Sequence, residues 1–366
     1  MKLKLCLHGI NNRMKINKKN IALNKPTYFI ADIAANHDGD LQRAKDLIFM
    51  VKELGADAAK FQHFQADTIV SDFGFKQLKN FKSHQSKWKK SVYQVYKDAS
   101  INFEWTQELK KTADKAGIDF FTSPYSLELV EKVNKYVSAY KLGSGDITWH
   151  EIILSMAKKK KPLIIATGAS EFNEINLIVK KLAKINFTNF ALLQCNTNYT
   201  ASLENFKFIN LNVLKLFKKK FPNIIYGLSD HTPGHSTVLG AITLGARIIE
   251  KHFTDDNSRT GPDHLFSMNP NSWKEMIDRS REIEMALGNE EKKIEHNEKN
   301  SVVVQRRSLR ATKILQKNDI IKSDDLIALR PCPKDAIPPY ELKKIIGKKL
   351  KKKIKEGEHL TWKKIK

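Results

Sequence analysis

Cysteine is nearly absent from this 366-residue chain: there are three, Cys6, Cys195 and Cys332. The number is odd, the spacing is wide and no Cys-x-x-Cys pair occurs. That argues against a disulfide framework or a cysteine zinc site and fits a reducing cytosol, so a cytoplasmic location is expected. Long apolar runs are missing too. No stretch approaches the roughly 18 residues of a membrane-spanning helix. The apolar patch Leu3–Leu7 is too short and broken for the core of a signal peptide. Negative charge is scarce: 64 Lys and Arg stand against 40 Asp and Glu, a net charge of +24. Such an excess can serve nucleic acid, an anionic membrane or acidic substrates. Here it is spread along the chain and is mostly lysine, without an Arg-rich groove motif, a zinc finger or an aromatic RNA-binding strand. The expectation is a lysine-rich surface around an enzyme that binds an anion, with no nucleic-acid or membrane partner.

What is present is a rhythm. Short β-branched and aromatic runs recur at 28–32, 58–62, 120–123, 139–141, 163–167, 190–194, 224–229 and 247–252, and nearly all end in a polar or charged residue. Helix-like stretches lie between most of them. Asp40 reads as the N-cap of the first, with Leu41, Ala44, Leu47, Ile48, Val51 and Leu54 at helical spacing and Gly55 just past its end. Eight βα units in succession predict an α/β fold, a closed (β/α)8 barrel (TIM barrel), whose reacting groups sit at the C-terminal strand ends. The expected domains are an N-terminal extension over 1–27, the barrel over 28–287, a charged linker over 288–300 and a small turn-rich domain over 301–366. Between Gln65 and Phe103 the rhythm breaks. Phe73, Phe75, Phe81, Trp88, Tyr93 and Tyr96 lie among many lysines there. This is too long for an ordinary loop, and it reads as an excursion over the barrel mouth.

The strand ends nominate the chemistry. His231 and His252 close consecutive runs, 21 residues apart, so their imidazoles can share one divalent cation with open positions for substrate. A hydrogen-bonded structural role for each is the alternative. Lys60 and Lys141 also sit at strand ends, where a lysine needs an anionic partner. That partner is either a neighbouring carboxylate, such as Asp32, or a substrate phosphate or carboxylate. Thr122-Ser123, Gly143-Ser144-Gly145, Thr167-Gly168 and Ser229 supply hydroxyls and amides suited to phosphate oxygens. Asp32 is the carboxylate placed to handle a proton or a water. Asp263 follows the last strand and can hold a polyol hydroxyl. For both aspartates a loop cap or a salt bridge is the plainer use.

Taken together and in order, Ala31-Asp32-Ile33-Ala34-Ala35-Asn36-His37-Asp38-Gly39, Lys60-Phe61-Gln62, Ser123-Pro124-Tyr125-Ser126, Tyr140-Lys141-Leu142-Gly143-Ser144-Gly145, Ala166-Thr167-Gly168, Leu228-Ser229-Asp230-His231-Thr232, Glu250-Lys251-His252-Phe253 and Gly261-Pro262-Asp263-His264 resemble the sialic acid synthase family, makers of nonulosonic acids. Residues 301–366, with Arg306-Arg307-Ser308-Leu309 and Leu329-Arg330-Pro331, resemble that family's antifreeze-like SAF domain. The resemblance implies a transferase that condenses phosphoenolpyruvate with the open-chain aldehyde of an N-acylated amino sugar. The sugar is N-acetylmannosamine or a dideoxy-diamino hexose, and the products are a nine-carbon 2-keto acid and phosphate. It implies a divalent metal, Mn2+ foremost and Mg2+ or Co2+ otherwise, on His231 and His252. Phosphoenolpyruvate would be held by Lys60, Lys141, Ser123, Ser144 and Ser229. Asp32 would take the place of a glutamate that handles the water and proton. Gln62, Tyr199 and Asp263 would contact substrate, and Arg330 would reach the site of a second copy in a domain-swapped homodimer.

Two departures stand out. Asp32 is one methylene shorter than the family's glutamate, and Ala166 stands where a serine is usual. The segment Cys195–Thr200 also lacks the proline that commonly follows its tyrosine. Two other readings compete. One is a different phosphoenolpyruvate-using ketodeoxy-sugar acid synthase, which the SAF-like tail disfavours. The other is a non-catalytic, basic polyanion-binding protein, which the retained Lys60, Lys141, His231 and His252 disfavour.

Overall fold

The structure is a computed structural model and describes residues 13–78, 85 and 88–366. Cys6 and Phe81 lie outside the described residues. The chain divides into two compact units, Met1–Gly288 and Asn289–Lys366.

The first unit opens on an antiparallel hairpin, β1 (Arg13–Ile16) and β2 (Lys19–Ala22). Strands β3 (Tyr28–Asp32), β4 (Ala58–His63), β5 (Asp119–Pro124), β6 (Tyr140–Leu142), β7 (Leu163–Ala166), β8 (Phe190–Cys195), β9 (Ile225–Asp230) and β10 (Ile248–His252) follow. These eight form a closed parallel barrel in sequence order, with β10 returning to β3. The fold is the (β/α)8 barrel expected from the rhythm, and every strand overlaps its expected run. The local signals hold as well. The Asp40 carboxylate accepts from the Arg43 amide at 3.0 Å and caps the helix Leu41–Glu53, whose buried face is Ala44, Leu47, Ile48 and Val51. Gly55, at φ +89°, turns the chain out of that helix. The helix that closes the barrel unit, Pro270–Leu287, starts at Pro270 because Asn269 caps it and proline is preorganised for the first helical position.

Of the segment read as an extension, the described residues 13–27 pack into the barrel core. Met14, Ile16 and Ile21 are buried in one cluster with Tyr28 and Phe29. Asn17 donates to Asp119 at 2.6 Å, Lys19 pairs with Asp57 at 2.6 Å, and Arg247 donates to the Leu23 carbonyl at 2.9 Å. All three partners lie at the starts of strands, so the hairpin lies across the N-terminal end of the barrel. The excursion after β4 is helical, with Ala66–Ile69, Asp72–Gln77 and Val92–Ala99.

The second unit has its own core of Leu309, Ala311, Leu315, Ile321, Ile337, Ile345, Leu350, Ile354, Leu360 and Ile365. A two-stranded antiparallel sheet, β11 (Ser308–Ala311) and β12 (Leu326–Leu329), is its regular element. A helix, Lys299–Gln305, begins inside the segment expected to link the domains, and a turn in which the Glu298 carboxylate accepts from the Glu295 amide precedes it.

Removing apolar volume from the hairpin tests whether it belongs to the core. Ile16 is fully buried, so Ile16→Ala is expected to cost about 2–4 kcal/mol in urea unfolding. A cost under about 0.5 kcal/mol would show that the hairpin is an appendage.

Candidate active site

The barrel register brings the sequence-nominated groups into neighbouring positions. His252 lies beside Asp32, Asp32 beside Lys60, Gln62 beside Ser123, and Glu250 beside Ser229. Side chains alternate along a strand, so Glu250 and His252 share a face of β10, as do Lys60 and Gln62 on β4. The result is a buried cluster of charge. The Lys60 Nζ is 2.5 Å from Asp32 Oδ2 and 3.6 Å from Glu250 Oε2, and the Lys141 Nζ is 3.3 Å from Glu250 Oε1. Gln62 donates to Asp32 at 3.1 Å, and Ser229 donates to Glu250 at 3.1 Å. None of the four charged side chains is more than 5% exposed.

The pairing is uneven. Burial alone would raise the Asp32 carboxyl, but Lys60, His252 and the hydrogen bonds from Lys60 and Gln62 outweigh it and hold it below its ordinary value. Burial would lower Lys60, but Asp32 and Glu250 outweigh that and raise it. Lys141 goes the other way. Burial pulls it down, Glu250 only partly compensates, and Lys60 adds like-charge repulsion. Lys60 therefore has the carboxylate partner that is the plainer use of a strand-end lysine, and Lys141 is the under-neutralised cation. Ser123 Oγ, on the adjoining strand β5, is buried and has no hydrogen-bond partner among the described residues. Ser144 opens the short turn after β6, and its Oγ accepts from the Gly168 amide at 3.0 Å. A Cβ at Gly168 would stand 2.7 Å from Thr197 Cγ2 and 2.9 Å from Ser144 Oγ, so only glycine allows that approach.

The two histidines face each other with ring centroids 5.5 Å apart. His231 Nδ1 donates to the Asn196 carbonyl at 2.8 Å, which leaves the lone pair on Nε2. Burial, with His252 alongside, pulls this imidazole down to about 3, so it is neutral. His252 Nε2 is 3.5 Å from Asp32 Oδ2, and its Nδ1, 4.0 Å from Asp263 Oδ2, is buried without a hydrogen-bond partner among the described residues. Among the described residues no group of three or more His, Cys, Asp and Glu side chains is disposed to hold a metal ion. Two imidazoles, one with its tautomer fixed from behind and one with an orphaned ring nitrogen, fit an open two-histidine site that substrate oxygens complete.

Tyr199 packs over this pair, its ring 4.2 Å from His231 and 6.2 Å from His252. Asp263 accepts from the Ala35 amide at 3.3 Å. Above the cluster lies a cavity of about 370 Å³ lined by Gln62, Tyr199, His252 and Asp263, and also by Ile69, Trp88, Val95 and Tyr96 of the excursion. Arg330 lies in the second unit, where its Nε donates to the Gln305 carbonyl at 2.7 Å.

Some residues here were not nominated from sequence. Glu250 holds both lysines, and its alternation with His252 was the available signal. Asp146 follows the Gly-Ser-Gly turn and lines the cavity; burial pushes its carboxyl up to about 6 against the pull of Lys141. Behind the histidines, Lys251 and Asp230 pair at 2.5 Å, and Asp230 also accepts from Thr232 and Thr237. This pair ties the strand end before His231 to the one before His252.

The fold and this site define a barrel enzyme with a buried charge cluster at the C-terminal ends of its strands. The NeuB family profile matches residues 47–292 and the SAF domain profile residues 306–366, so the chain belongs to the NeuB family. It is 34% identical to the N,N'-diacetyllegionaminic acid synthase of Legionella pneumophila over 92% of this chain and 94% of that one. It is 30% identical to human N-acetylneuraminate-9-phosphate synthase over 91% of each. A crystal structure of N-acetylneuraminic acid (sialic acid) synthetase from Leptospira borgpetersenii superposes with a TM-score of 0.69 and 25% identity, covering 81% of this chain and 96% of that one.

The Asp146 shift makes stability depend on pH. An unfolded Asp titrates near about 3.9, whereas this one titrates at about 6 in the fold. Between those values the folded state binds more protons, so this carboxyl lowers stability as pH rises and its penalty is complete above pH about 6. The expected Tm gain of Asp146→Asn is small at pH 4 and largest at pH 7. An equal gain at both would clear the carboxyl of that role.

Proposed function

We propose that this chain is a nonulosonic acid synthase. It joins phosphoenolpyruvate to the open-chain aldehyde of an N-acylated amino sugar, giving a nine-carbon 2-keto acid and phosphate. The observation that carries this reading is the under-neutralised Lys141 beside Lys60 and the orphaned Ser123 hydroxyl, next to a pair of facing imidazoles. An anion with a phosphate and a carboxylate supplies the charge that Lys141 lacks.

In this reading Lys60, Lys141, Ser123, Ser144 and Ser229 hold phosphoenolpyruvate, and Gln62, Tyr199 and Asp263 position the sugar. C3 of phosphoenolpyruvate bonds to the aldehyde carbon, whose oxygen takes up a proton. Water adds at C2, and the phosphate leaves with its bridging oxygen. Asp32 takes the proton of that water. Its engagement with Lys60 holds it as a weak base, and a substrate anion drawing Lys60 away makes it a stronger one. His231 and His252 would hold the divalent metal, Mn2+ foremost. When bound, that ion supplies Lewis-acid polarisation of the aldehyde oxygen. Arg330 completes the site of a second copy in a homodimer, as the family resemblance implies.

Phosphate release with phosphoenolpyruvate, MnCl2 and a panel of N-acylated amino sugars tests this, with product mass as confirmation. Lys141→Met is expected to abolish phosphoenolpyruvate use. His231→Ala is expected to lower turnover about a hundredfold or more, the loss of several kcal/mol of carbonyl polarisation. No release with any acceptor, or full activity of wild type in chelator, would overturn the corresponding part. Mixing inactive Arg330→Ala and His231→Ala chains is expected to restore part of the activity, because one hybrid site has both groups intact. No recovery would remove Arg330 from the shared site.

A further inference from the structure

The second unit carries a face that the barrel chemistry does not use. Residues 331–366 contain twelve lysines and no arginine, against four carboxylates. Three of those carboxylates are engaged: Glu341 with Lys344 at 2.7 Å, Glu358 with Lys364 at 2.6 Å, and Asp335 against His359 at 3.3 Å. The Lys366 amide donates to the Lys349 carbonyl and the Lys351 amide to the Lys364 carbonyl, both at 2.8 Å. Segments 349–351 and 364–366 therefore run antiparallel, with Leu350 opposite Ile365, and both of those side chains point into the core of the unit. Side chains alternate along a strand, so Lys349, Lys351, Lys364 and Lys366 all stand on the outer face. Lys349 is opposite Lys366, and Lys351 is opposite Lys364. On its other side Lys349 pairs with Ile320, which is 51% exposed. Trp362, 46% exposed, opens the turn that leads into 364–366. Among the described residues no carboxylate forms an ion pair with Lys349, Lys351 or Lys366; the Lys366 ammonium donates instead to Asn318 Oδ1 at 3.0 Å.

Like charges directly opposite one another in a sheet repel, so this face is held by the core beneath it and not by its own side chains. A negatively charged partner relieves that repulsion, and the residues indicate its kind. Lysine is a point charge without the planar fork that arginine offers to a single phosphate or carboxylate, and it is depleted at protein–protein interfaces. Beside Lys349 stands the aliphatic Ile320, not an aromatic ring on which a base could stack. A lipid surface requires neither feature. It presents diffuse negative charge that several lysines share, and exposed apolar side chains such as Ile320 and Trp362 suit its interface. We propose that this face of the second unit docks reversibly on an anionic lipid bilayer, with Lys349, Lys351 and Lys366 as its principal contacts. The even spread of lysine along the sequence predicts no membrane partner, but the fold gathers these lysines on one face. Docking there is independent of the condensation proposed above.

Co-sedimentation of the full chain with vesicles tests this. One set is phosphatidylcholine alone, and the other is an equal mixture of phosphatidylcholine and phosphatidylglycerol. Binding is expected to the mixed vesicles and not to the neutral ones. It is expected to fall at least tenfold between about 0.1 M and about 1 M salt, where the screening length shrinks from about 10 to about 3 Å. The triple substitution Lys349→Ala, Lys351→Ala and Lys366→Ala is expected to weaken binding to the mixed vesicles about a hundredfold. Its Tm is expected to stay level or rise, because only exposed like charges are removed. Alanine at Lys180, Lys215 and Lys218, three exposed lysines on barrel helices, removes the same net charge and is expected to change binding less than about twofold. Absence of binding to the mixed vesicles, equal binding to both sets, or an equal loss in the two triple variants overturns the proposal. Tighter binding to single-stranded RNA than to the mixed vesicles at the same salt overturns it too, and gives the face to nucleic acid.

Discussion

The buried contact between Lys60, Asp32, Glu250 and Lys141 is the constraint around which the barrel mouth is organised. Four charged side chains lie out of water on three strands and the one that closes the circle, β10. Removing charges from water costs several kcal/mol each, and only close geometry returns it. The short strands meet that condition because the parallel register sets Asp32 beside Lys60 and Glu250 beside Ser229. The compensation is uneven, however, and the deficit falls on Lys141. A completely balanced cluster would be a structural ion network. This one leaves Lys141 the less compensated member, and on the proposed reading a substrate anion supplies the balance.

The histidine pair depends on a different kind of support. Neither ring is held by metal-type neighbours such as cysteine or a dense carboxylate set. Instead, the Asn196 carbonyl fixes one tautomer, and the Lys251–Asp230 pair, itself buried and joined by Thr232 and Thr237, ties together the strand ends that precede the rings. Orientation thus comes from the layer behind the site, and of the two rings His252 lines the cavity.

The legible part of this molecule was the part governed by short-range periodicity. Asp40, Gly55 and the polar residues at the ends of most of the runs are local signals, and each lies where its local chemistry places it. Glu250 was legible in principle, since it alternates with His252, yet a glutamate in a strand has many possible uses until Lys60 and Lys141 are seen beside it. Asp146 and Tyr96 come from loops whose paths no periodicity sets; they meet only because the excursion folds back over the turn after β6. The hairpin was missed for a similar reason. Its four-residue strands carry little pattern of their own, and their burial depends on Asp57, Asp119 and Arg247, which are remote in sequence.

That hairpin has a topological effect. It lies across the N-terminal end of a barrel already filled with side chains, whereas the described cavity lies at the opposite end, with residues of the excursion in its wall. Two guests that share a blind chamber must enter in sequence, the deeper one first. On the proposed reading, phosphoenolpyruvate goes to the lysines at the floor, and the sugar then stands between it and the exit. On that reading, the sugar that arrives second seals the first guest in.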